Sequence, residues 1–159
     1  MDAFAIRELR AGDAPRVQAF VRRLSPEARL KRFFAPINEL TARQLERVTT
    51  GNGPDDVSLG AFDAAGRIVG LAQYALEEGA SAEFGVVVDD QLQRSGLGTR
   101  LVGQLLELAR ERGLAAMNGL VLHDNWPMLN LAAKLGFELW EDADPALMRV
   151  EKALEPAFA

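Results

Sequence analysis

The chain has 159 residues, 48% of them hydrophobic, enough to fill one core and too few to build a second domain of ordinary size. Lys and Arg number 18 against 23 Asp and Glu, a formal net charge of −5 that gives a nucleic acid no electrostatic purchase and suits cationic substrates instead. The lack of cysteine excludes disulfides, thiolate metal sites and a cysteine acyl-enzyme, and the single His123 argues against a polyhistidine metal centre, so no metal is expected.

In residues 3–9, AFAIREL, apolar and polar side chains alternate as in a half-buried edge strand. Gly12-Asp13 then offers a turn and an N-cap for a helix over 14–24. Ser25-Pro26-Glu27 places a capping hydroxyl before a proline at the first helical position and starts a second helix through ARLKRFF; residues 41–49 form a third, short one. From Val57 the period becomes two. The segments VSLGAF, RIVGLAQYAL and SAEFGVVV, separated by Asp63-Ala64-Ala65-Gly66 and by Glu77-Glu78-Gly79, predict a three-stranded antiparallel meander. After DDQLQRSGLG comes a helix with Leu97, Leu101, Val102, Leu105, Leu106, Leu108 and Ala109 on one stripe, ending at Arg112-Gly113. LAAMNGLVL reads as a strand, Asn125-Trp126-Pro127 opens a helix to Leu135 that Gly136 stops, and FELW and ALMRVEKAL are two further strands. The strand, helix, strand run over 80–122 implies a parallel pair inside an otherwise antiparallel sheet with helices on its faces.

No apolar run is long enough to cross a bilayer, and the first ten residues carry Asp2 and Glu8 where a leader peptide has a basic start. A cytoplasmic protein with no membrane partner is the expectation. With no repeat, no low-complexity tract and no linker longer than the GNGP at 51–54, a single domain over 1–159 is the simplest organisation.

The sharpest local signal is Gln93-Arg94-Ser95-Gly96-Leu97-Gly98-Thr99, which follows a hydrophobic strand and opens a long helix. Free backbone N–H groups and the helix dipole face outward at such a junction, and glycines let a phosphate come close. A triphosphate loop would need Lys-Ser/Thr after its last glycine, where Thr99-Arg100 stands; a dinucleotide loop would need a small residue at Leu101. A bare strand-to-helix turn with glycines for geometry alone is the remaining plain alternative.

The string V-x-x-x-x-Q-x-x-G-x-G, present as Val88–Gly98, resembles the acetyl-CoA pyrophosphate loop of the GNAT superfamily of N-acetyltransferases. Downstream, LVLHDNWPMLNLAAKLGFEL is similar to the family's later segment, with Asn125 at the cofactor-contacting asparagine and Leu135-Gly136-Phe137 at the helix end. LSPEARLKRFF at 24–34 looks most like the catalytic domain of bacterial protein-lysine acetyltransferases. The resemblance implies a mixed α/β GNAT fold: a mostly antiparallel twisted sheet with one parallel, splayed pair and flanking helices. It implies acetyl-CoA as cofactor, with the backbone of Val86, Val87 and Val88 pairing with the pantetheine arm and the N–H groups of Arg94, Ser95, Gly96, Leu97, Gly98 and Thr99 cradling the pyrophosphate. An N–H near Val88 would polarise the thioester carbonyl.

An alkyl ammonium with a pKa near 10.4 is about one part in a thousand free amine at neutral pH, so a base is expected. Glu83, on the strand leading to the loop, faces away from Phe84, Val86 and Val88 and matches the glutamate resembling the family's general base, acting through water. The tyrosine that the family often uses to protonate the leaving thiolate is replaced by Ala132; Tyr74 and His123 are the candidate stand-ins, each more readily explained as structural. The basic run Arg22, Arg23, Arg29, Lys31 and Arg32 reads as a solvated helix face, Phe33-Phe34 as core or acceptor-pocket lining, and Trp126 as core or cofactor packing.

The expected activity is acetyl transfer from acetyl-CoA to a primary amine by direct attack, with a protein lysine as favoured acceptor. A small-molecule acceptor such as a polyamine or amino acid, and a non-catalytic acyl-CoA-binding sensor, are the alternatives. The C-terminal edge strands leave room for a homodimer without requiring one.

Overall fold

The structure, a computed structural model, describes residues 4–51, 53 and 55–155. Ala3 of the expected first strand and Asn52 and Pro54 of the GNGP segment lie outside these residues. The elements run β1 (Ala5–Glu8), α1 (Ala14–Arg23), α2 (Pro26–Phe33), α3 (Ala42–Thr50), β2 (Asp56–Phe62), β3 (Ile68–Glu77), β4 (Ser81–Val88), α4 (Leu97–Glu111), β5 (Ala116–Leu122), α5 (Trp126–Lys134), β6 (Glu138–Glu141) and β7 (Leu147–Ala153). The helix starts obey the local chemistry. Ser25 Oγ accepts the N–H of Ala28 at 3.1 Å ahead of Pro26, and Thr41 and Gln44 cap α3 reciprocally.

One seven-stranded sheet has the order β1-β2-β3-β4-β5-β7-β6. Every pairing is antiparallel except β4 with β5, which the right-handed route through α4 makes parallel. That parallel register covers only Ser81 to Glu83 against Ala116 to Asn118, while β4 continues to Val88 and β5 to Leu122. Past Glu83 the two strands part, and the sheet carries an opening in its middle.

The strand alternation divides the core into two. On one face Ala72, Tyr74, Phe84 and Met117 pack under Leu101, Val102 and Leu105 of α4. On the other, Leu71, Phe62 and Val87 pack under Val17, Phe20 and Val21 of α1. Each fully buried side chain of this size contributes roughly 1.5–3 kcal/mol, so both helical layers are held against the sheet around the opening. No described helix is long and apolar enough to cross a membrane.

Two expectations need correction here. Glu77, expected in a turn, is the last residue of β3, because the strand runs one residue further before Gly79 and Ala80 turn the chain with positive φ. The basic run of α1 and α2 is not uniformly solvated. Arg29 is buried and donates through Nη1 to the carbonyl of Leu24 at 2.6 Å, capping the end of α1, while Arg32 turns inward over the sheet.

Candidate active site

A cavity of about 940 Å³ passes through the opening, bounded by α2 and α3 on one side of the sheet and by the starts of α4 and α5 on the other. The β4 backbone forms its middle wall. The bond from the Asp89 N–H to the Val69 carbonyl, 2.8 Å, fixes the phase of the β3–β4 ladder. By alternation, Val87 and Gly85 direct their N–H and C=O groups to β3, whereas Phe84, Val86 and Val88 direct theirs toward the opening. Gln93 Nε2 occupies the Val88 carbonyl at 3.0 Å. The backbone of Val86 and the N–H of Val88 are therefore the part of β4 that can take an added strand. Val87, expected to share in it, uses its backbone on β3 and buries its side chain under α1.

The glycine-rich turn stands at the exit of β4. Arg94 and Gly96 have φ of 66° and 86°, and the N–H groups of Arg94, Gly96, Gly98 and Thr99 have no acceptor among the described residues. The donors of Ser95 and Leu97, expected in the same cradle, have acceptors within the turn: the Leu92 carbonyl at 3.2 Å and Ser95 Oγ at 3.3 Å. A methyl group on Gly96 would enter open space on the cavity side, while one on Gly98 would fall 3.0 Å from Leu131 Cδ1 of α5. The four remaining donors, at the positive end of a helix of 15 residues, suit an anion of diphosphate size. Asn125 lines the cavity from the far side. Its Oδ1 accepts the Met128 N–H at 3.4 Å as the cap of α5, which leaves its Nδ2 for a ligand.

Glu83 sits at the last parallel rung, opposite Asn118, with its side chain on the face that carries α2. Its carboxyl is held above the usual carboxylate range, first by burial and then by the neighbouring carboxyl of Glu77, one diagonal away on β3; Arg32 and Arg149 oppose the shift. On the same face a polar ladder runs from α2 across two strands: Arg32 Nη2 donates to Gln73 Oε1 at 2.9 Å, and Gln73 Nε2 donates to Ser58 Oγ at 3.1 Å. Sequence reading passed over Gln73, Glu77 and Arg32. The signal for the first two was strand alternation, which places both on the Glu83 face.

Of the other candidates, Tyr74 and Trp126 line the cavity and Ala132 and His123 do not. Ala132 is fully buried and offers no hydroxyl. The Tyr74 hydroxyl is buried on the α4 face, where burial pushes its pKa up, and His123 is an exposed residue after β5. Trp126, expected in core or cofactor packing, is 63% exposed at the start of α5 and lines the cavity, which excludes core packing and leaves its indole open to a ligand.

Comparison with known proteins identifies the family. Residues 20–137 match the sequence model of the Acetyltransferase (GNAT) family. The chain belongs to the GNAT family. Like other GNAT proteins it is an acyltransferase whose co-substrate is acetyl-CoA. It is 31% identical over 152 residues to acetyltransferase PA5475 of Pseudomonas aeruginosa, an alignment covering 92% of this chain and 81% of that one. Over 84 residues it is 37% identical to an L-methionine sulfoximine/L-methionine sulfone acetyltransferase of Pseudomonas paraeruginosa, spanning 50% of this chain and 49% of that protein. The GNAT domain of S. lividans PAT superposes with a TM-score of 0.89 at 25% identity, covering 96% of this chain and 97% of that domain. The GNAT fold, the parallel pair and acetyl-CoA, all expected from the sequence, are thereby established.

Proposed function

We propose that the protein acetylates the primary amine of a small molecule, with Glu83 as the base. The observation that carries this is the position of Glu83, at the point where β4 and β5 part and one cavity joins both faces of the sheet. Bound acetyl-CoA supplies the acetyl thioester. The N–H groups of Arg94, Gly96, Gly98 and Thr99 hold the pyrophosphate, Asn125 Nδ2 meets the arm, and Val86 takes the pantetheine amides as an added strand. Glu83, directly or through one water, removes a proton from the incoming ammonium. The neutral nitrogen then forms its bond to the carbonyl carbon, the carbon–sulfur bond breaks, and the electron pair leaves on sulfur. The Val88 N–H faces the developing oxyanion. The second amine proton passes to the thiolate, whose conjugate acid has a pKa near 8.5, so Ala132 in place of a tyrosine leaves the balance intact.

A small-molecule acceptor is favoured because the Arg32 guanidinium on the acceptor side suits a substrate that carries an anion near its amine, which a lysine side chain lacks. The relative that acetylates methionine derivatives points the same way. A protein lysine is the second reading, supported by the likeness to the S. lividans PAT domain and by the open face of Leu120 and Trp140 beside Glu83. The test is Glu83→Gln. It should reduce kcat by about a hundredfold to ten-thousandfold, the usual worth of a general base, while calorimetric affinity for acetyl-CoA stays unchanged. Equal loss of both, or of neither, removes the base assignment.

A further inference from the structure

Arg32 brings a positive charge into the acceptor side of the cavity, where it faces the Glu83 carboxyl and makes no direct ion pair among the described residues. Its guanidinium lies flat against the β4 backbone: a methyl group added to Gly85 would be 2.7 Å from Cζ and 2.9 Å from Nε. The ring of Phe33 backs it at 5.0 Å, and Gln73, itself tied to Ser58, fixes one end of the fork. Five other arginines, Arg7, Arg16, Arg22, Arg67 and Arg110, form ion pairs with Asp or Glu. Arg32 has a single hydrogen bond among the described residues, to a neutral amide. A guanidinium has five N–H donors, and donors withdrawn from water without an acceptor are costly. The donors left over border the cavity.

The distance to the base decides what anion belongs there. Glu83 and Gly85 are two residues apart on β4 and share a face, so their positions along the strand differ by about 7 Å. An amine hydrogen-bonded to Glu83 and an anion hydrogen-bonded to the guanidinium over Gly85, each at about 2.8 Å, are then within the span of one small molecule that carries both groups. The geometry points to Arg32 as a carboxylate-binding residue and to an α-amino acid as the acceptor, its amine beside Glu83 and its carboxylate on the Arg32 fork. This rests on the acetyl-transfer reading and adds the substrate class.

The experiment measures coenzyme A release for neutral L-amino acids against their decarboxylated amines, with phenylalanine against phenethylamine and leucine against isoamylamine as matched pairs. Wild type should prefer the amino acid in kcat/KM by at least about tenfold. Arg32→Gln should raise KM for the amino acid about tenfold to a hundredfold, the fold-change of one lost charge-assisted bond, while the matched amine, which feels Arg32 only through the protonation of Glu83, loses far less in kcat/KM and KM for acetyl-CoA holds. Arg32→Lys should recover part of the loss, and it serves alone if the glutamine variant does not fold. Equal rates with both members of each pair, equal impairment of both by Arg32→Gln, or preference for a lysine peptide over every amino acid would overturn the inference while leaving the transfer chemistry standing. Failure to bind acetyl-CoA by calorimetry, with no release from any amine, would overturn both.

Discussion

A carboxyl group that is half withdrawn from water and shares its surroundings with a second carboxyl keeps its proton to higher pH than a free one. Glu83 is such a group, raised by burial and by Glu77 and lowered by Arg32 and Arg149. Its basic form therefore appears only above the ordinary glutamate range, and the acidic limb of kcat/KM should report that displaced value. Glu77→Gln removes the like charge and should move the limb to lower pH; Arg149→Gln removes a compensating cation and should move it higher. Opposite displacements in the two variants identify Glu83 as the titrating group, and an immobile limb in both assigns it elsewhere. The sequence made Glu83 legible because the motif after it counts back along a regular strand. It hid Glu77, since Glu-Glu-Gly reads as a turn, and it hid Arg32, since charge on a helix is ordinarily solvated and only tertiary packing turns this one over Gly85.

At the scale of elements, the turn between β4 and α4 was the most legible part of the chain, because glycines at a strand-to-helix junction have few other uses. What pattern alone could not resolve was which backbone donors are free, a matter settled by side bonds such as Leu97 to Ser95 Oγ. Gly96→Val tests the turn. It forces a β-branched residue to φ of 86° and fills open space at the cradle, so acetyl-CoA affinity should fall by at least about tenfold, while the fold loses only about 1–2 kcal/mol of backbone strain. Unchanged affinity by calorimetry rules out the cradle. The segment joining β1 to α1 has a different purpose. Asp13 accepts Arg7 Nη1 at 2.8 Å and the Arg10 N–H at 2.8 Å, and these bonds, the Arg7 pair foremost, lower its pKa to about 2 from 3.8. The folded-state value is depressed, so this stabilisation is present above about pH 4 and is lost as pH falls from there through about 2, a total of about 2 kcal/mol. Asp13→Asn should remove about that much at pH 7 in urea unfolding and converge on wild type near pH 2; parallel curves would show that the clip contributes nothing.

For the whole molecule, the meander and the parallel crossover followed from the alternation of strands and helices, but the place of β7 between β5 and β6 and the opening did not. It depends on where β5 leaves β4, and that is set by packing on each side: Gly119 of β5 lies so close to Phe84 that an added methyl would be 3.0 Å from its ring, and α1 and α4 hold β4 from opposite faces. A ligand filling the opening bridges both cores, replaces the ladder that β4 lacks beyond Glu83 and satisfies donors that the native chain leaves free. It must therefore stabilise the folded state by mass action. At a hundred times its Kd acetyl-CoA should add about 2.7 kcal/mol, which for a chain of this length raises Tm by roughly 5–11 °C at about 2–4 °C per kcal/mol. ATP and the nicotinamide dinucleotide offer phosphates to the same turn but carry no pantetheine amides to pair with Val86. In a thermal-shift series at equal concentration they should move Tm far less. If ATP matched acetyl-CoA, phosphate at the α4 terminus alone would account for binding, and the free edge of β4 would have no part in it.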